Sequence, residues 1–124
     1  MAVQTASDRH ALDTEIRNTL LSDMMGLGIS YWADVDIVEE TDDTHLTLTI
    51  KVTDRETGIE YTVHRGGFGI AVDEWARTYT WCDNRFTEQF ARHWTAKNYD
   101  FADFDDSITD VLMQHYLFGE QRYA

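Results

Sequence analysis

In the stretch HLTLTIKV, Leu46, Leu48, Ile50 and Val52 alternate with Thr47, Thr49 and Lys51. A period of two sends neighbouring side chains to opposite faces, so the stretch predicts a strand with one buried and one wet face. IEYTVH repeats the alternation with Ile59, Tyr61 and Val63 after the turn-forming DRETG. The pair predicts an antiparallel hairpin whose loop is longer than the tightest turns. Its inward-facing set is expected to include Leu46, Leu48, Ile50, Ile59, Tyr61 and Val63. Upstream, YWADVDIVEE sets Val35 and Ile37 against Asp34 and Asp36, which predicts a third strand antiparallel to the next.

The flanks change period. Leu12, Ile16, Leu20 and Met24 recur every fourth residue, predicting a helix over roughly Ser7 to Met25. Thr5 or Ser7 is its candidate cap, and Gly26 and Gly28 stop it. After the hairpin, RGGFG reads as a mobile hinge. A short helix from Val72 to Trp81 then carries Trp75, Ala76 and Tyr79. Phe86, Phe90 and Trp94 mark the next helix. Ile108, Val111, Leu112, His115 and Phe118 mark the last, closed by Gly119. The order α-β-β-β-α-α-α defines an α+β fold, a small three-stranded antiparallel sheet packed by about four helices on one face. With 124 residues, no proline, no repeat and no low-complexity linker, residues 1–124 are expected to form a single domain.

Few chemistries fit this chain. No apolar run is long enough to span a membrane, and MAVQTASDRH lacks the basic start and apolar stretch of a signal peptide. A lone Cys82 forms no internal disulfide and reads as a small buried hydrophobe. The expectation is a reduced, cytoplasmic protein. His10, His45, His64, His93 and His115 show no metal-ligand spacing with one another or with Cys82, and His93 and His115 read as packing or capping residues. DFADFDDSITD imitates the start of a calcium loop. However, Ile108 stands where the sharp turn needs glycine, and Gln114 replaces the bidentate glutamate. GGFG has the wrong order for a nucleotide fingerprint, and no serine sits in a nucleophile elbow. Neither a catalytic residue nor a metal or cofactor is expected.

Charge is the outlying property. Ten Lys and Arg face 23 Asp and Glu, a formal charge of −13. Nucleic acid and anionic membranes repel such a chain, and basic protein surfaces attract it. Asp34, Asp36, Glu39, Glu40, Asp42 and Asp43 form one acidic cluster; Asp100, Asp103, Asp105, Asp106 and Asp110 form another. Asp105 or Asp106 can cap the last helix, and the others meet its positive end, but the cluster exceeds that local need. Residues two apart on a strand lie roughly 6.6 Å apart on one face, close to the step between phosphates along a nucleic-acid strand. Asp34 and Asp36 have that spacing. The candidate partner-binding set is therefore Asp34, Asp36, Glu39, Glu40, Asp42, Asp43, Asp100, Asp103, Asp105 and Asp106. Tyr31, Trp32, Phe101 and Phe104 are apolar anchors or, alternatively, core. Abundant Asp and Thr with only two lysines, Lys51 and Lys97, also suit solubility or salt adaptation, and that alternative stays open.

The chain's end, DDSITDVLMQHYLFGEQRY, resembles the C-terminal signature of small proteins carried by bacteriophages and other mobile elements: a T-x-D helix, then LFGE and a terminal Tyr. Here the residues compared are Thr109 and Asp110, which stand adjacent without the intervening residue, then Leu117, Phe118, Gly119, Glu120 and Tyr123, and Gly26 to Val35 resembles the segment after that family's first helix. The specific overlap covers under a quarter of the chain. The resemblance implies a phage or mobile-element setting, hence the cytoplasm of an infected bacterium, and no reaction. By analogy with DNA-mimicking anti-restriction and anti-CRISPR proteins, the expected function is non-enzymatic inhibition of a host defence complex through its basic nucleic-acid groove. The alternative is a phage accessory or structural interaction module.

Overall fold

The computed structural model describes residues 6–40, 48–78 and 85–123, apart from the side chains of residues 6–12, 85, 86 and 101. The chain runs through α1 (Ala6–Met24), β1 (Ala33–Glu40), β2 (Leu48–Asp54), β3 (Glu60–His64), α2 (Arg65–Thr78), α3 (Arg85–Thr95), a 3-10 turn (Tyr99–Phe101) and α4 (Asp106–Phe118). This is the expected α+β order. The sheet is antiparallel throughout, in the order β1-β2-β3.

Register explains which strand residues are buried. Val35, Val52 and Tyr61 are paired across the sheet, as are Ile37, Ile50 and Val63, so all six share one face. On the central strand that face is closed: Leu48, Ile50 and Val52 are buried, as is Val63 beside them, while Tyr61 is half-buried. On β1 it is open. Val35 is 38% and Ile37 64% exposed, and the register slips between Ile37 and Glu39. Alternation reveals a strand but not its place in the sheet, and an edge strand has neighbours on one side only. Ile59, expected inward, precedes β3 in the hairpin loop and is exposed. Leu46 lies outside the described residues.

The helices close the inner face. Leu21, Met24, Met25 and Ile29 meet Phe68, Val72, Phe90, Trp94, Ile108, Leu112 and Met113 in one core. On α1, Ile16 and Leu20 are only half-buried, so the buried line runs through Leu21 and Met24; the side chain of Leu12, and Thr5, lie outside the described residues. Ser7 sits inside α1 rather than capping it.

RGGFG is no hinge: its residues form the first turns of α2. A methyl on Gly69 would lie 2.8 Å from Leu21 Cδ1, and the Gly69 carbonyl accepts a 3.1 Å bond from Arg17 Nη2. The bare backbone thus lets α1 approach α2, and that contact overrides the low helix propensity of glycine. Glycine acts differently in the turn after α1. Gly28 has φ +79°, and a methyl there would collide with the Asp106 carbonyl at the start of α4. A methyl on Gly26 would lie 3.2 Å from Val35 Cγ1. One turn therefore packs against both β1 and α4.

α3 ends through Lys97, which has φ +62°. The Lys97 amide donates to Trp94 O at 3.1 Å and the Asn98 amide to His93 O at 2.9 Å, the bonds of a left-handed helix end that favours glycine. Lys97→Gly is expected to raise stability by about 1 kcal/mol, seen as a higher melting temperature. A lower one would mean that the lysine side chain contributes more than its backbone strain costs.

Candidate partner-binding surface

The start of α4 organises this region. Asp105, in extended conformation, caps the helix: its Oδ1 accepts from the Ile108 amide at 3.0 Å. Thr109 donates its hydroxyl to Leu27 O at 2.8 Å, tying α4 to the glycine turn. The next residue, Asp110, is buried and accepts from the Tyr31 hydroxyl (2.6 Å), the Trp32 indole N–H (2.8 Å) and the Gln114 amide (2.9 Å).

Gln114 carries the network into the tail. Fully buried, it accepts at Oε1 from the Arg122 and Tyr123 amides, both at 2.8 Å. The chain doubles back at Gly119, which has φ +74°. The Tyr123 ring then stacks on Trp32, with centroids 5.2 Å apart, and its hydroxyl donates to the Asp54 carboxylate, 2.9 and 2.8 Å from the two oxygens. Phe118 packs against Trp32, Tyr61 and Tyr123. Thr109, Asp110, Phe118, Gly119 and Tyr123, five of the seven residues that carry the C-terminal resemblance, are thus parts of a lock between α4, the segment just before β1 and the end of β2. Sequence reasoning missed Asp54 and Asp110 as lock residues, because a buried acid in an acid-rich chain looks like any other acid, and missed Gln114, because its partners are backbone groups of a tail that folds back.

Burial alone would raise the Asp54 carboxyl. The Tyr123 hydroxyl and the Glu56 and Thr57 amides outweigh it and hold the group below the ordinary value. The phenols move the other way. Tyr31 is pushed up to about 12, first by burial and then by the hydrogen bond and charge of Asp110. Tyr123 is pushed up to about 12, first by its bond to Asp54. Both folded-state values lie above the ordinary 10.0. Their contribution is therefore complete below pH 10 and lost as pH rises from 10 toward 12. Melting temperature should fall over that window, and Tyr31→Phe and Tyr123→Phe should each flatten the fall. An unchanged slope in both variants would contradict the assignment.

The candidate surface residues separate into two groups. Asp34, Asp36, Glu39, Glu40, Asp100, Asp103, Asp105 and Asp106 are all exposed. Asp34 lies 3.4 Å from Arg55, the one ion pair among them in the described residues. Asp34, Asp36 and Glu39 are paired with Thr53, Lys51 and Thr49 on the outer face of the sheet. Asp42 and Asp43 lie outside the described residues. Among the aromatics, Tyr31 is half exposed but its hydroxyl is engaged by Asp110. Trp32, expected as an anchor, is 4% exposed: its ring is sandwiched in the lock and its indole N–H is bonded, so it presents nothing to a partner. Phe104 is likewise drawn inward, half-buried and edge-on to Phe90. The side chain of Phe101 is outside the described residues.

His93 and His115 are half-buried, and burial pushes His115 below its ordinary value. The His64 ring sits 3.0 Å from the Thr49 hydroxyl. Cys82, His45 and the His10 side chain are outside the described residues. Among the described residues, no group of three or more His, Cys, Asp or Glu is placed to hold a metal ion. No helix among them is long and apolar enough to cross a membrane. The chain matches no protein-family model, no curated protein and no solved structure.

Proposed function

We propose that this chain is a non-enzymatic inhibitor that occupies the basic, nucleic-acid-binding groove of a bacterial defence complex, of anti-restriction or anti-CRISPR type, with its acidic surface in place of nucleic acid. The observation that carries the reading is the placement of the exposed acids. The Gly26–Gly28 turn packs against Val35 on the inner face of the sheet and against Asp106 at the start of α4, so it joins the two elements that carry the acids. Those acids are exposed, Asp34, Asp36 and Glu39 on the outer face of the sheet. Their scarcity of basic partners leaves net negative charge facing solvent, which supplies steering toward a basic groove. The phage setting comes from the resemblance of the C-terminal signature, and the partner is a basic protein rather than nucleic acid or a membrane.

The test uses two neutralised variants. One changes Asp34, Asp36, Glu39, Glu40, Asp42 and Asp43 to their amides. The other changes Asp100, Asp103, Asp105 and Asp106; asparagine at position 105 still caps α4. In affinity capture from bacterial lysate, each folded variant should lose the basic nucleic-acid-binding protein retained by the native chain. Retention by both variants would return the acids to a solubility role.

A further inference from the structure

We infer that the edge of β1, unpaired among the described residues, is a docking strand for an extended segment of a partner protein, one that alternates Lys or Arg with apolar residues. The inference rests on the acidic-surface reading above and gives that surface a mode of contact. Every residue from Asp34 to Glu40 is exposed, and β1 is an edge of the sheet. The backbone polarity of that edge follows from the hydrogen bonds at its root. The Arg55 amide donates to the Trp32 carbonyl at 3.0 Å, so that carbonyl faces β2, while the Trp32 amide bonds Ile29 O. In an antiparallel pair the facing alternates, which turns Asp34 and Asp36 toward β2 and Val35 and Ile37 outward. Two observations agree: the Ala33 carbonyl accepts from the Arg55 side chain at 3.1 Å, and the Asp54 amide, opposite Ala33, turns to Ile59 O on the β3 side. The N–H and C=O groups of Val35 and Ile37 are therefore those presented to an incoming strand.

Side chains define what that strand must be. Beside Val35 and Ile37 it meets apolar surface that the helices leave 38% and 64% exposed. Beside Asp36 and Glu39, on the outer face, it meets carboxylates, and beside them Asp34, which shares its charge with Arg55. Opposite charges across a strand pair stabilise it and like charges oppose it. A second copy of this chain would set acids against acids, and a nucleic-acid strand has no backbone amides to pair. A strand with alternating basic and apolar residues satisfies both faces at once, the mode known as β-augmentation.

A short synthetic peptide alternating valine and lysine is the probe, with the same peptide N-methylated at its valines as comparator. The valines opposite Val35 and Ile37 would exchange backbone bonds with them, so methylation removes the pairing and keeps the charge. Amide exchange followed by NMR should slow at least about tenfold at Val35 and Ile37 and stay unchanged at Asp34 and Asp36, already bonded to β2. The methylated peptide should bind at least about tenfold more weakly. No binding, equal binding of the two peptides, or binding without protection at Val35 and Ile37 would overturn the edge assignment. Those results leave the acidic-surface reading to its own test, the neutralised variants. Conversely, unweakened peptide binding by Asp34→Asn/Asp36→Asn would overturn the charge match.

Discussion

Replacing Asp110 by alanine is expected to destabilise the protein by about 3 kcal/mol, since it removes the shared acceptor of three donors, and a donor left buried and unsatisfied costs about 1–3 kcal/mol. The buried Trp32 indole is the costly one; the Gln114 amide loses one acceptor but keeps Tyr123 O at 3.1 Å and the Tyr31 hydroxyl at 3.3 Å. Tyr31 is half exposed, and its hydroxyl can turn to water. A loss of this size lowers the melting temperature of such a domain by roughly 10–20 °C. Asp110→Asn keeps the volume and one acceptor oxygen. Oriented toward Trp32 and Gln114, that oxygen leaves the new amide facing Tyr31, whose hydroxyl can accept. The asparagine variant should therefore lose less than half as much. Calorimetry on the two variants checks the order: equal losses would mean that Asp110 acts through its charge and not as a shared acceptor.

Ending the chain at Gln114 is expected to prevent stable folding. The deletion removes the last turn of α4 and the tail that folds back on it. Tyr116, Leu117, Phe118 and Tyr123 all pack against the core, and each large side chain carries on the order of 1–3 kcal/mol of burial. Gln114 Oε1 loses both backbone donors while fully buried, and Asp54 loses the Tyr123 hydroxyl on the inner face of the sheet. Together these losses are on the order of the 5–15 kcal/mol by which small domains are stable. The truncated chain should show neither a cooperative thermal transition nor dispersed amide resonances. A cooperative melt within a few degrees of the full chain would show that the tail is an appendage.

Periodicity made the elements legible, and burial decided the rest. Four-residue spacing placed α3 and α4, and period two placed all three strands. Neither distinguishes the centre of a sheet from its edge, so Ile37 looked as inward as Ile50 although one is 64% and the other 2% exposed. The glycines of RGGFG read as freedom because glycine is flexible in an isolated chain. Here Gly69 is where α1 and α2 touch, a property of the packed pair and not of the segment. The acids were legible as a surplus, and Asp105 as a cap, but composition could not tell Asp106, exposed, from Asp110, four residues before Gln114 and buried with it. Sequence alone leaves Trp32 between anchor and core for the complementary reason: its polar partner lies 78 residues away.

The most direct test of the acidic surface as a substitute for nucleic acid is binding kinetics with the captured partner at several salt concentrations, with double-stranded nucleic acid as competitor. Exposed charges act over about 10 Å at 0.1 M salt and mainly through association. The native chain should associate more slowly as salt rises, the Asp34→Asn/Asp36→Asn/Glu39→Gln/Glu40→Gln variant should associate more slowly at low salt with little change in dissociation, and nucleic acid should displace both. Equal association of native and variant chains at low salt, with no displacement by nucleic acid, would contradict the account.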